Sequence, residues 1–129
     1  MLIRYDVPPN FDKILEKFPS ALKEGVLFTY GDTIYNPAGW KIPRPIVLHE
    51  EVHERQQRSD PESWWDKYLI DPKFRYEQEL EAHRVEYREY CKRKSSGRAK
   101  YFKFVASRLS SELYGNCISL EEAELAILS

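Results

Sequence analysis

The sequence predicts an α+β chain, with a short β-hairpin or small sheet near the N-terminus followed by a mainly helical bundle. Three observations carry this reading. Val26 to Tyr30 and Thr33 to Tyr35 are β-prone runs separated only by Gly31-Asp32, a two-residue connection of the primed-turn type. From Ile46 onward the apolar residues recur at helical spacing. The breaks between them carry helix-start signals: Asp60-Pro61, Asp71-Pro72 and Ser119-Leu120-Glu121-Glu122.

Taken in order, Leu2 to Val7 is a candidate first strand, ended by Pro8-Pro9. Phe11, Ile14, Leu15 and Phe18 then share one helical face. After the hairpin, Asn36-Pro37-Ala38-Gly39-Trp40 and the prolines at 43 and 45 form a loop into a helix expected to end near Ser59. Asp60-Pro61 opens a short helix carrying Trp64, Trp65, Tyr68 and Leu69, read as core packing that bridges the helices on either side. Asp71 as N-cap and Pro72 at the first helical position open the next helix. Its C-terminus is marked by Lys92-Arg93-Lys94, favourable charge at that end of the helix dipole, and by the stop Ser95-Ser96-Gly97. Phe102, Val105, Ala106 and Leu109 define a further amphipathic helix. The capping box Ser119 to Glu122 opens a last one, with Leu120, Ala123, Ile127 and Leu128 available for packing.

The 129 residues suffice for one core, and no linker, repeat or low-complexity tract divides them, so residues 1–129 are expected to form a single domain. Twenty Lys and Arg nearly cancel 21 Asp and Glu, which gives no electrostatic reason to expect a nucleic-acid partner. The N-terminus lacks a signal-peptide pattern and no apolar run is long enough to cross a bilayer, so a cytoplasmic protein with no membrane partner is expected. Cys91 and Cys117 lack Cys-x-x-Cys spacing and are expected to be free thiols rather than a disulfide or a metal site.

The chemistry concentrates in Ile46-Val47-Leu48-His49-Glu50-Glu51-Val52-His53, a His-Glu-x-x-His arrangement behind an apolar lead-in. On a helix, residues four apart lie one above the other, so His49 and His53 can reach one zinc ion from a single face. Glu50 then sits beside the metal as a general base. A catalytic zinc needs a third protein ligand, and Glu77, Glu79 and Glu81 on the following helix compete for it. Periodicity favours Glu79, because Glu79, Ala82, His83 and Glu86 share a face and the small Ala82 permits close helix approach.

His49-Glu50-x-x-His53 followed by Glu79-x-x-Ala82 resembles the gluzincin metallopeptidases, particularly the compact single-domain forms of phage and prophage proteins. The resemblance spans roughly positions 26 to 90. It implies a small zincin-like domain, one Zn²⁺ held by His49, His53 and Glu79, and hydrolysis of a peptide bond in a peptide or protein substrate with Glu50 as base. It also implies an extended substrate laid against an edge strand, for which the hairpin strand Thr33 to Asn36 is the choice. In the family the residue after that alanine is commonly Asp or Asn, orienting a zinc-bound histidine. This chain has His83, which is expected to accept the same hydrogen bond, to face the oxyanion, or to bind metal. Tyr76, Tyr87 and Arg84 are further candidate oxyanion donors.

Two other readings are kept. A zincin-like fold can bind zinc structurally, or bind a partner protein, without turnover; the presence of Glu50 argues against it. A di-iron bundle built on Glu50-x-x-His53 needs a second Glu-x-x-His, but position 80 is Leu80.

Overall fold

A computed structural model describes residues 1–22 and 25–129. It is α+β, as predicted: three short strands, β1 (Leu2–Arg4), β2 (Phe28–Tyr30) and β3 (Thr33–Tyr35), with helices α1 (Phe11–Lys17), α2 (Arg44–Gln57), α3 (Pro61–Ile70), α4 (Pro72–Arg93), α5 (Arg98–Leu109) and α6 (Leu120–Leu128). A single 3₁₀ turn, Glu112–Tyr114, links α5 to α6. No helix among the described residues is long and apolar enough to cross a membrane.

The strand order is β1-β3-β2, with β2 antiparallel and β1 parallel to β3. Gly31 alone of the two turn residues has positive φ, the II′ pattern, which sets Thr29 opposite Ile34. The first strand is shorter than expected, and Val26 lies outside β2 and is exposed. The expected edge is corrected: β3 is the central strand, because β1 returns along it, with the Leu2 amide donating to Asp32 and the Asn36 amide to Arg4. The strand lying against α2 is β2, an edge.

The predicted helix starts carry their caps. Asp60 accepts from the Ser63 amide, Asp71 from Lys73 and Phe74, and Ser119 closes a reciprocal capping box with Glu122. Helix α2 stops at Gln57 rather than near Ser59, because Arg58 takes a φ of 54°. Gln57 instead ties α2 to the hairpin: its amide donates to the Thr29 carbonyl at 2.7 Å, and its oxygen accepts from the Gly31 amide at 2.8 Å.

Two apolar clusters flank the α2–α4 pair. One gathers Ile14, Phe28, Trp64, Trp65 and Leu69 from α1, β2 and α3, with Ala21 from the turn after α1. The other packs Val105, Ala106, Leu109, Tyr114, Ala123 and Ile127 against α4. Leu120 and Leu128, expected to pack, are exposed at the two ends of α6, whose buried stripe is Ala123 and Ile127. Between the clusters, where α2 meets α4, the buried residues are polar: His49, Glu50, His53, Glu79, His83 and Glu86, with Val52 and Ala82 letting the helices close.

Candidate metal centre

On α2, His49, Glu50 and His53 all turn inward, and on α4 so does the Glu79, Ala82, His83, Glu86 face. Glu77 and Glu81, the competitors of Glu79, are exposed. His49 Nε2 lies 3.0 Å from Glu79 Oε1, His53 Nε2 lies 3.2 Å from the same oxygen, and the two Nε2 atoms are 3.2 Å apart. Three donor atoms on a tetrahedral zinc with bonds of about 2.0–2.1 Å are separated by about 3.3 Å, so this triangle has the size of one coordination face.

The hydrogen bonds around the triangle fix which nitrogens carry protons. Gln56 donates from Nε2 to the Gln78 carbonyl at 3.0 Å and to Glu81 at 2.7 Å, which turns its oxygen toward His53 Nδ1 at 2.8 Å. His49 Nδ1 lies 2.8 Å from a Glu86 carboxylate oxygen. Both Nδ1 atoms therefore donate, and in the neutral rings both Nε2 atoms present lone pairs to the Glu79 carboxylate. Three acceptors 3.0–3.2 Å apart repel unless a cation stands among them.

The titration behaviour expresses the same demand. Burial alone would push His49 and His53 down, but hydrogen bonds to Glu79 and Glu86 hold His49 well above the ordinary imidazole range, and the charge of Glu79 raises His53. Burial would likewise neutralise Glu79, yet His53 and His49 hold its carboxyl well below the usual range.

Glu50 stands beside the triangle. Its Oε1 accepts from the Thr29 hydroxyl of β2 at 2.9 Å, leaving Oε2 3.7 Å from His49 Nε2. The second oxygen of Glu79 accepts from the Tyr68 hydroxyl of α3 at 2.6 Å, which leaves Oε1 directed at the histidines. These side chains open into a cavity of about 540 Å³ walled mostly by apolar residues.

Of the roles open to His83, accepting the hydrogen bond from His49 falls instead to Glu86. A carboxylate one turn beyond His83 reaches back to take both rings, His49 at 2.8 Å and His83 at 2.9 Å, and also accepts from the Tyr101 hydroxyl of α5. His83 lies edge-on to His49, ring centres 4.6 Å apart, and lines the cavity. His49, Glu79 and His83 offer ligand atoms within 4.8 Å of one another, as do His49, Glu50 and His53. Of the other candidate oxyanion donors, Tyr76 and Tyr87 pack against the α5–α6 cluster and Arg84 donates to the Ala126 carbonyl, all outside the cavity.

Glu86, Tyr68, Tyr101, Gln56 and Thr29 are the site partners not assigned from sequence. Two left a signal there: Glu86 as an acidic residue on the Glu79 face, and Tyr68 as part of the aromatic cluster read as bridging the two helices. Cys91 and Cys117 are free, as expected, and stand outside the centre. Comparison of the chain with protein-family models, with curated proteins and with solved structures returns no match.

Proposed function

We propose that this centre holds one zinc ion through His49, His53 and Glu79, and that the protein is a zinc-dependent peptidase of the gluzincin kind acting on a peptide or protein. The observation that carries the reading is the donor triangle with a carboxylate beside it, all opening into one cavity. A tetrahedral triangle supplied by three protein groups leaves the fourth position to solvent or substrate. Zinc bound there supplies Lewis-acid polarisation of the scissile carbonyl and of the attacking water.

The chain's own residues then have distinct tasks. Glu50, steadied at Oε1 by Thr29, takes a proton on Oε2 from the attacking water and passes it to the leaving nitrogen. Tyr68 and Glu86 keep Glu79 and His49 in their orientations. His83, held at Nδ1 by Glu86, faces the cavity where the oxyanion develops. Since the β2 edge is capped at the Thr29 carbonyl by Gln57 and Trp65, an extended substrate would pair with the backbone preceding Thr29, around Leu27.

The decisive variant is Glu50→Gln, which keeps size and the Thr29 hydrogen bond but removes the proton acceptor. Metal content and melting temperature are expected to match the unaltered protein while hydrolysis of a peptide library falls by about 10²- to 10⁴-fold. Turnover at the original rate refutes the mechanism.

The position of His83 favours one second reading. As a fourth protein donor beside His49 and Glu79 it would close the coordination shell, and the protein would be an inactive zincin-like module that binds zinc structurally or serves a protein partner. X-ray absorption of the zinc-loaded protein decides. Three histidines with Glu79 select the module, and two select the peptidase.

A further inference from the structure

We propose that the cavity takes an apolar peptide segment bearing a carboxylate, and that Arg108, assisted by Lys17, is the receptor for that carboxylate. The inference rests on the peptidase reading for the identity of the site, and it adds a substrate class. The walls include Phe18, Phe28, Ile46, Trp64 and Leu113, which suit apolar side chains. Among the described residues, five charged side chains other than histidine line the cavity: Glu50, Glu79, Glu86, Lys17 and Arg108. They divide by depth and by partner.

The three carboxylates are buried, and each is engaged from within. Glu50 is held by Thr29, Glu79 by His49, His53 and Tyr68, and Glu86 by His49, His83 and Tyr101. The two cations are exposed, Lys17 in the last turn of α1 and Arg108 near the end of α5. Neither has a carboxylate partner among the described residues. Arg108 is nevertheless positioned: its guanidinium carbon lies over the Phe104 ring, 5.8 Å from the centre.

A guanidinium presents a planar fork, the geometry that matches a carboxylate with two parallel hydrogen bonds. A polyphosphate or nucleic acid would meet the buried carboxylates and apolar walls with two cations among the described residues to offset them, so an acidic or C-terminal peptide carboxylate fits better. The carboxylate has two sources, an Asp or Glu side chain or a free C-terminus.

Binding tests this without turnover. Trp64 and Trp65 line the cavity, so their fluorescence reports occupancy in zinc-loaded Glu50→Gln protein. Three acetylated hexapeptides share one Leu/Phe core: one with a free C-terminus, one amidated with an internal Asp, and one amidated with Asn in its place. One of the two carboxylate peptides is expected to bind about tenfold more tightly than the neutral amide, which identifies the source, and raising the salt should narrow the gap. Adding Arg108→Gln is expected to bring that peptide down to the neutral level, and Lys17→Gln to weaken it less. Equal affinity of all three, survival of the preference in Arg108→Gln, or no fluorescence response to any peptide at millimolar concentration overturns the proposal. A preference in binding with no cleavage by the unaltered protein refutes hydrolysis alone, and cleavage with no preference refutes the carboxylate receptor alone.

Discussion

Replacing Glu86 by Gln isolates what a buried carboxylate does for a ligand it orients. Glu86 is 3% exposed and accepts from His49 Nδ1, His83 Nδ1 and the Tyr101 hydroxyl. Glutamine keeps the shape. Its oxygen can take the two imidazole protons, and its amide group can meet the Tyr101 oxygen, so the fold should survive. What disappears is a negative charge, and the His49 bond drops from a charge-assisted value of about 1.5–3 kcal/mol to about 1 kcal/mol. The ring loses basicity at Nε2 as well as restraint, and the proposed zinc loses one nearby negative charge. Together these give about 1.4–2.8 kcal/mol, or a 10- to 100-fold weakening of zinc affinity. Competition against a chromophoric zinc chelator measures it, with the exposed Glu77→Gln as a control expected to show no change. Affinity of Glu86→Gln within twofold of the unaltered protein would refute the claim that this carboxylate orients a ligand. Glu86→Ala is less informative, because it strands the donors of buried His49 and His83 at about 1–3 kcal/mol each, along with that of half-buried Tyr101, and compromises the fold itself.

Alanine at His49, His53 or Glu79 is expected to abolish stoichiometric zinc and with it the metal-dependent rise in melting temperature, about 4 kcal/mol of stability at a thousandfold excess over Kd. Loss of zinc in Glu81→Ala with retention in Glu79→Ala would show that α4 is read in the wrong register. His83→Asn is expected to keep zinc, weakened by no more than about 10- to 100-fold; complete loss would make His83 a ligand. The pH dependence has a definite sign. His49 and His53 are raised above 6.5 in the metal-free fold, so their stabilisation is complete below that value and is lost as pH rises through the folded values. Glu79 is lowered below 4.5, so its contribution is present above that value and is lost on acidification. The metal-free protein should therefore be most stable between these values, whereas zinc requires the unprotonated rings. The zinc-induced rise in melting temperature should grow from pH 6 to pH 8, and a rise independent of pH across that range would contradict the histidine ligands.

Local chemistry made part of the fold legible. A two-residue turn fixes hairpin register by itself, and an Asp or Ser side chain closes its cap within four residues, so β2–β3 and the starts of α3, α4 and α6 could be read directly. The partner of β1 could not. Its parallel pairing joins Leu2 to Thr33 across some thirty residues and is decided by packing, which is why the edge strand was misplaced. The end of α2 was equally hidden, since what pins Gln57 is a pair of hydrogen bonds to Thr29 and Gly31, distant in sequence.

The site was legible where one helix encodes it. Spacing places His49 above His53 whatever α2 packs against, and a shared face with Ala82 separates buried Glu79 from exposed Glu77 and Glu81. Its supports were not, because Thr29 comes from β2, Tyr68 from α3 and Tyr101 from α5, each with no motif around it. Yet the supports carry the stronger physical argument. Six ionisable side chains lie buried where two apolar clusters would otherwise meet, and such burial costs several kcal/mol per charge unless partners complete it. Apolar residues there would give a more stable bundle. Glu79, Glu86, His49 and His53 each find a partner outside the triangle, and at the triangle itself two imidazole nitrogens and one carboxylate oxygen converge. A core arranged to be incomplete at one point, with a base and a cavity beside that point, is what a bound cation and a reacting substrate would complete.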